Sequence, residues 1–140
     1  MLSSEKLELY DGDAQALDGV TLDVPQGQIV AIVGADGAGK TSLIRAIAGM
    51  EKPRAGSVAF DGQDITGWPA HRICNLGVGQ VAEGRQIFPS LDVLDNLEMG
   101  AFLPRGRAKR RETLDRVLSM FPRLAERKDQ VAGTGAGGEQ

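Results

Sequence analysis

Eight consecutive residues carry the clearest chemistry in this chain. Gly34-Ala35-Asp36-Gly37-Ala38-Gly39-Lys40-Thr41 fits the pattern G-x-x-x-x-G-K-[ST] in full. Glycines at such positions let a backbone curl so that several N–H groups point at the oxygens of a phosphate. Lys40 would bring an ammonium to the β- and γ-phosphates of a nucleoside triphosphate, and the Thr41 hydroxyl suits Mg²⁺. A helix starting near Gly39 adds the positive end of its dipole, with Ser42 next in line for the bound phosphates. Asp36 is the odd member, a carboxylate in a loop built for an anion. It is tolerated if its side chain points to solvent or caps the helix.

Such a loop needs a buried strand before it and an apolar-faced helix after it. Residues 29–33 are a continuous apolar run, the pattern of a strand buried on both faces. Residues 40–48 have helical periodicity with Leu43, Ile44 and Ile47 on one face, and Gly49 is a natural stop. Upstream, residues 7–10 and the alternating Val20, Leu22 and Val24 predict strands, separated by turns at 11–13 and 25–27. Downstream, residues 56–60 predict a strand ending at the hairpin pair Asp61-Gly62. Residues 69–76 predict a short helix, 77–81 a further strand, and 93–99 a helix starting near Asp92 and broken by Pro104 and Gly106. Residues 112–127 carry Leu114, Val117, Leu118, Phe121 and Leu124 along one stripe, and Pro122 divides that stretch into two helices.

Composition narrows the class. Apolar residues make up 41% of the 140, enough for a core, but aromatics only 4%, so that core rests on aliphatic side chains. The net charge of −3 gives no global attraction to nucleic acid or to anionic membrane. The single cysteine, Cys74, is expected as a small buried apolar residue in a reducing compartment. The start of the chain lacks the pattern of a signal peptide, and no apolar run is long enough to span a bilayer. The basic run Arg105, Arg107, Lys109, Arg110, Arg111 lacks interleaved aromatics and reads as a solvated loop and helix start, not a nucleic-acid site. His71, the sole histidine, reads as a surface or capping residue.

The order of motifs then resembles a known family. Tyr10-Asp11-Gly12, Gln15-Ala16-Leu17, Gly27-Gln28-Ile29-Val30, the phosphate loop, Gly56-Ser57-Val58-Ala59-Phe60-Asp61-Gly62 and the closing Gly135-Ala136-Gly137-Gly138-Glu139-Gln140 resemble the nucleotide-binding subunits of ABC transporters across the whole chain. Gly62-Gln63-Asp64-Ile65-Thr66-Gly67-Trp68-Pro69, followed by His71-Arg72-Ile73, is similar to the branched-chain amino-acid importers in particular. So is Glu83-Gly84-Arg85-Gln86-Ile87-Phe88-Pro89. The urea importers of the same group share that segment.

The resemblance implies an α/β fold of the P-loop NTPase class, here incomplete. It has a core at residues 1–85 with the phosphate loop and a helical subdomain at 86–140 ending at the signature motif. It implies ATP and Mg²⁺ as ligands and transmembrane permease subunits and a second ATP-binding subunit as partners. The place of action would be the cytoplasmic face of the inner membrane. It implies a role for Glu83 toward Mg²⁺ and the γ-phosphate. It assigns Ala136, Gly137, Gly138, Glu139 and Gln140 to the contact with ATP held by the second subunit. Ala136 stands where the family has serine, so the side-chain hydroxyl is missing. The family's adenine-stacking aromatic sits directly before the glycine, where this chain has Asp11. Tyr10, one residue earlier, either stacks on adenine or belongs to the core or sheet edge. The family's hydrolytic residues lie after the signature, so the 140 residues are expected to bind ATP without turning it over. A second reading stands beside this one, a non-catalytic nucleotide-binding remnant; a third, a soluble ABC protein of repair or translation, would carry tandem cassettes or large coiled-coil insertions, and neither occurs in these 140 residues.

Overall fold

Leu7, Leu9, Leu17 and Val58 alternate with more exposed neighbours along three segments, and that period of two makes one buried sheet face. The computed structural model describes residues 1–84 and 86–135. The signature residues Ala136, Gly137, Gly138, Glu139 and Gln140 therefore lie outside the described residues. The chain forms two units, Met1–Gly79 and Gln80–Gln140.

The first unit is a four-stranded antiparallel sheet with two helices. Strands β1 (Leu2–Asp11), β2 (Ala14–Val24), β3 (Ala55–Phe60) and β4 (Gln63–Asp64) lie in the order β2-β1-β3-β4. The β1–β2 hairpin closes at Asp11↔Ala14, and β1 pairs β3 from Leu2↔Phe60 to Glu8↔Ala55. Asp61 and Gly62 both take positive φ, 47° and 78°, which makes the β3–β4 connection the expected two-residue hairpin. After β4, Thr66 holds the Asp64 carboxyl below the ordinary carboxylate range, first through its side-chain hydroxyl and then through its amide, which donates to Asp64 at 2.8 Å. The Thr66 hydroxyl in turn accepts from the Val58 amide at 2.8 Å.

Helix α1 (Lys40–Ile47) buries Leu43, Ala46 and Ile47, and α2 (Ala70–Leu76) buries Ile73. These side chains join Leu7, Leu9, Leu17, Val58 and Ile65 in one aliphatic cluster. Each fully buried residue of this size is worth about 1.5–3 kcal/mol over its exposed state, so this cluster fixes where α1 begins.

Four expectations fail here. Residues 29–33 form no strand, and Ile29 and Val33 are 100% and 89% exposed. Residues 77–81 form none either, with Val81 fully exposed. An apolar run marks a tendency to be buried, but a strand also needs a neighbour for its N–H and C=O groups. β1 already has a neighbour on each side, and no other described strand takes these segments. On α1, Ala46 takes the inward place expected of Ile44, which is 43% exposed. Cys74 is exposed, not buried, because α2 turns Ile73 inward.

The second unit holds α3 (Val93–Met99), α4 (Pro104–Ala108), α5 (Arg110–Met120) and α6 (Pro122–Glu126). Pro104 starts a helix of its own, and Pro122 separates α5 from α6. Asp92 caps α3 by accepting from the Asp95 amide at 2.7 Å. Asn96 on α3 grips the backbone of Phe88 from both sides, accepting from its N–H at 2.8 Å and donating to its carbonyl at 3.0 Å. The returning chain near Val131 is tied to the same region. Val93 N–H donates to Gln130, Ala132 N–H to Leu91 and Gly133 N–H to Pro89. Phe88, Val93, Leu97, Met99, Phe102 and Leu124 line an apolar groove of about 580 Å³.

Candidate nucleotide-binding loop

The loop of residues 34–41 is set by its two ends. Downstream, α1 is anchored through Leu43, Ala46 and Ile47 in the core. At its start, Gly39 adopts φ 85° and lies against β2, where the Ala16 carbonyl and the Leu17 side chain leave no space for a Cβ. Within the loop, the Ala38 amide donates to the Ala35 carbonyl at 3.1 Å across a turn with Gly37 at φ 80°. A Cβ on Gly34 would touch Ala38 Cβ at 3.3 Å, so the two ends of the loop approach each other.

Lys40 bridges that curl. Its Nζ donates to the carbonyls of Gly34 at 2.8 Å and Ala35 at 2.7 Å. Both acceptors are neutral, and among the described residues no carboxylate pairs with this ammonium. Helix α1 has no side-chain cap and no acidic residue in its first turn. The first-turn amides of Lys40, Thr41 and Ser42 therefore have no intrahelical acceptor. One ammonium, a set of unsatisfied amides and the helix dipole point to an anion at this place. Asp36 is exposed in the turn and does not cap the helix, so of the two ways to tolerate it the solvent-facing one holds. Thr41 is exposed and Ser42 half-buried.

Tyr10 sits at the end of the β1–β2 hairpin, paired with Gln15. Gln15 directly precedes Ala16, the residue that Gly39 rests on, so the hairpin end borders the loop through β2. One face of the Tyr10 ring is covered by the Arg54 guanidinium at 4.8 Å, a contact that the sequence did not announce. Glu83 belongs to the other unit, exposed on a bend where Gln86 Nε2 donates to its carbonyl at 3.4 Å. Among the described residues no group of His, Cys, Asp and Glu side chains is arranged to hold a metal. No described helix is long and apolar enough to cross a membrane.

A family model described as ABC transporter matches residues 17–140. The chain belongs to the ABC transporter family. Within that family it is 41% identical, over all 140 residues, to the high-affinity branched-chain amino acid transport ATP-binding protein BraG of Pseudomonas aeruginosa. It is 31% identical over the same length to a probable branched-chain amino acid transport ATP-binding protein, LivF, of Archaeoglobus fulgidus. The chain spans 60% and 59% of these relatives' lengths. An Fe(3+) ions import ATP-binding protein of Mesorhizobium japonicum is 41% identical over 81% of the chain. Among solved structures, a nucleotide-free ATP-binding cassette from an ABC transporter superposes with a TM-score of 0.80 at 29% identity. The superposition covers 99% of this chain and 60% of that one. A cassette solved in its ADP conformation gives a TM-score of 0.81 at 29% identity, with the same coverage. The fold is thus that of the P-loop NTPase cassettes, of which these residues make up part.

Proposed function

We propose that this chain is the ATP-binding subunit of an importer for branched-chain amino acids. The observation that carries the nucleotide reading is the curled loop with Lys40 across its mouth and an uncapped helix behind it. The residues fit a triphosphate. Amides of residues 39–42 and the Lys40 ammonium would take the phosphates. The exposed Thr41 hydroxyl would hold Mg²⁺, with the remaining positions left to phosphate oxygens and water, as this ion prefers. Tyr10, held on one face by Arg54 and near the loop through Gln15 and Ala16, is the candidate to contact the base.

The amino-acid reading rests on two supports. The segments around Trp68 and Glu83 resemble that branch, and the two relatives named for branched-chain amino acids align over the full 140 residues, while the iron importer aligns over less. Glu83 would act near the γ-phosphate and beside the surface met by the permease subunits. The working assembly would pair two ATP-binding subunits at the cytoplasmic face of the inner membrane, with the signature residues 136–140 of one facing the ATP of the other.

The 140 residues are proposed to hold ATP without hydrolysing it. In-line attack on the γ-phosphate needs a group that orients water, and the family places that group beyond the signature. The test compares the chain with Lys40→Ala, measuring ATP affinity and phosphate release. Affinity should drop in the variant while phosphate release stays at background in both. Equal affinities would remove the site assignment, and steady turnover in the parent chain would remove the non-hydrolytic reading.

A further inference from the structure

The most basic segment of the chain has no part in the function proposed above. Arg105, Arg107, Lys109, Arg110 and Arg111 place five cations in seven residues, and all five are exposed. No acidic residue occurs between Glu98 and Glu112. Arg107, Lys109, Arg110 and Arg111 line a shallow cup of about 720 Å³ together with Glu112 and Asp115. Local contacts hold Arg107 and Arg110 but do not account for Lys109 and Arg111. Arg110 and Arg111 sit in the first turn of α5, where the helix dipole disfavours cations and only Glu112 opposes them. Arg110 reaches Glu98 at 3.2 Å, while Lys109 and Arg111 have no ion-pair partner among the described residues.

The surface beside the cations is mixed: Met99 and Phe102 share it with Asp95 and Glu98. Phe102 is 59% exposed and Met99 44%. The Arg107 guanidinium lies over the Phe102 ring, 4.9 Å from its centre, so ring and cations form one patch. A nucleic-acid groove would interleave rings with cations along its length. Here one ring and one thioether flank a block of positive charge. That arrangement suits the headgroup layer of a bilayer, where cations meet phosphates and an aromatic ring enters the acyl boundary.

We propose that residues 102–111 are a contact site for anionic phospholipid headgroups. The site is independent of the nucleotide loop. Its test is co-sedimentation of the 140-residue chain with vesicles of phosphatidylcholine alone or mixed with phosphatidylglycerol. Binding should favour the anionic vesicles and weaken steeply as salt rises, because Lys109 and Arg111 are solvent-exposed. Lys109→Glu with Arg111→Glu should lower partitioning at least about tenfold, since each basic residue near such a surface contributes roughly a fivefold factor. Lys109→Gln with Arg111→Gln should give a smaller loss and serves if the reversal disturbs folding. Phe102→Ser should lower binding by a factor that salt does not change. Equal binding to both vesicle types overturns the proposal. So does binding that survives both high salt and the charge reversal, which would assign attachment to exposed apolar residues such as Ile29 and Val33. Salt-sensitive binding to duplex DNA without vesicle binding would assign the patch to nucleic acid instead.

Discussion

Gly39 packs against the backbone of Ala16 with no room for a side chain: a β-carbon there would stand 2.4 Å from the Ala16 carbonyl oxygen. Gly37, two residues earlier, has a similar φ but open space around it. The pair separates two costs. Gly37→Ala should destabilise the chain by about 1 kcal/mol through its left-handed backbone alone. Gly39→Ala should cost about 2–4 kcal/mol, because the β2 backbone must move as well. Urea midpoints of the two variants decide this, and equal losses would mean that the loop does not rest on β2.

Lys40→Ala should leave stability within about 0.5 kcal/mol, because its two bonds go to exposed carbonyls. Its effect on ATP should be large. A charge-assisted bond to phosphate is worth about 1.5–3 kcal/mol, so affinity should fall roughly tenfold to a hundredfold. Titration with a fluorescent ATP analogue gives the number, and a stability loss matching the affinity loss would point to misfolding instead.

Ile29→Ala should be nearly neutral in this chain, changing stability by less than about 0.5 kcal/mol, because the side chain is fully exposed. Leu7→Ala, at 0% exposure, should cost about 2–5 kcal/mol. A cost near 2 kcal/mol for Ile29→Ala would mean that residues 29–33 are paired in solution.

Asn96→Ala should cost about 2 kcal/mol, since three bonds are lost together: two to Phe88 and one from Nδ2 to the Asp92 carbonyl at 2.8 Å. Hydrogen exchange at the Phe88 amide should rise more than at the Leu43 amide, which belongs to the other unit. Uniform exchange across both would show that the two units do not open separately.

The sequence alone determined the eight-residue loop, because its chemistry depends on residue types at fixed spacing along one stretch of backbone. The start of α1, the turn at 11–13, the hairpin pair at 61–62, the helix start near Asp92 and the division at Pro122 were legible for the same reason: each is decided within a few residues. The tertiary structure decided what a residue's neighbours are. It left residues 29–33 and 77–81 without a strand partner, since hydrogen-bonded pairing is settled between distant segments and not by an apolar run. It turned Ala46 inward in place of Ile44 and left Cys74 exposed, because the packing angle of a short helix depends on what lies beneath it. It also laid Arg54 over Tyr10 and Arg107 over Phe102, contacts that no local pattern encodes.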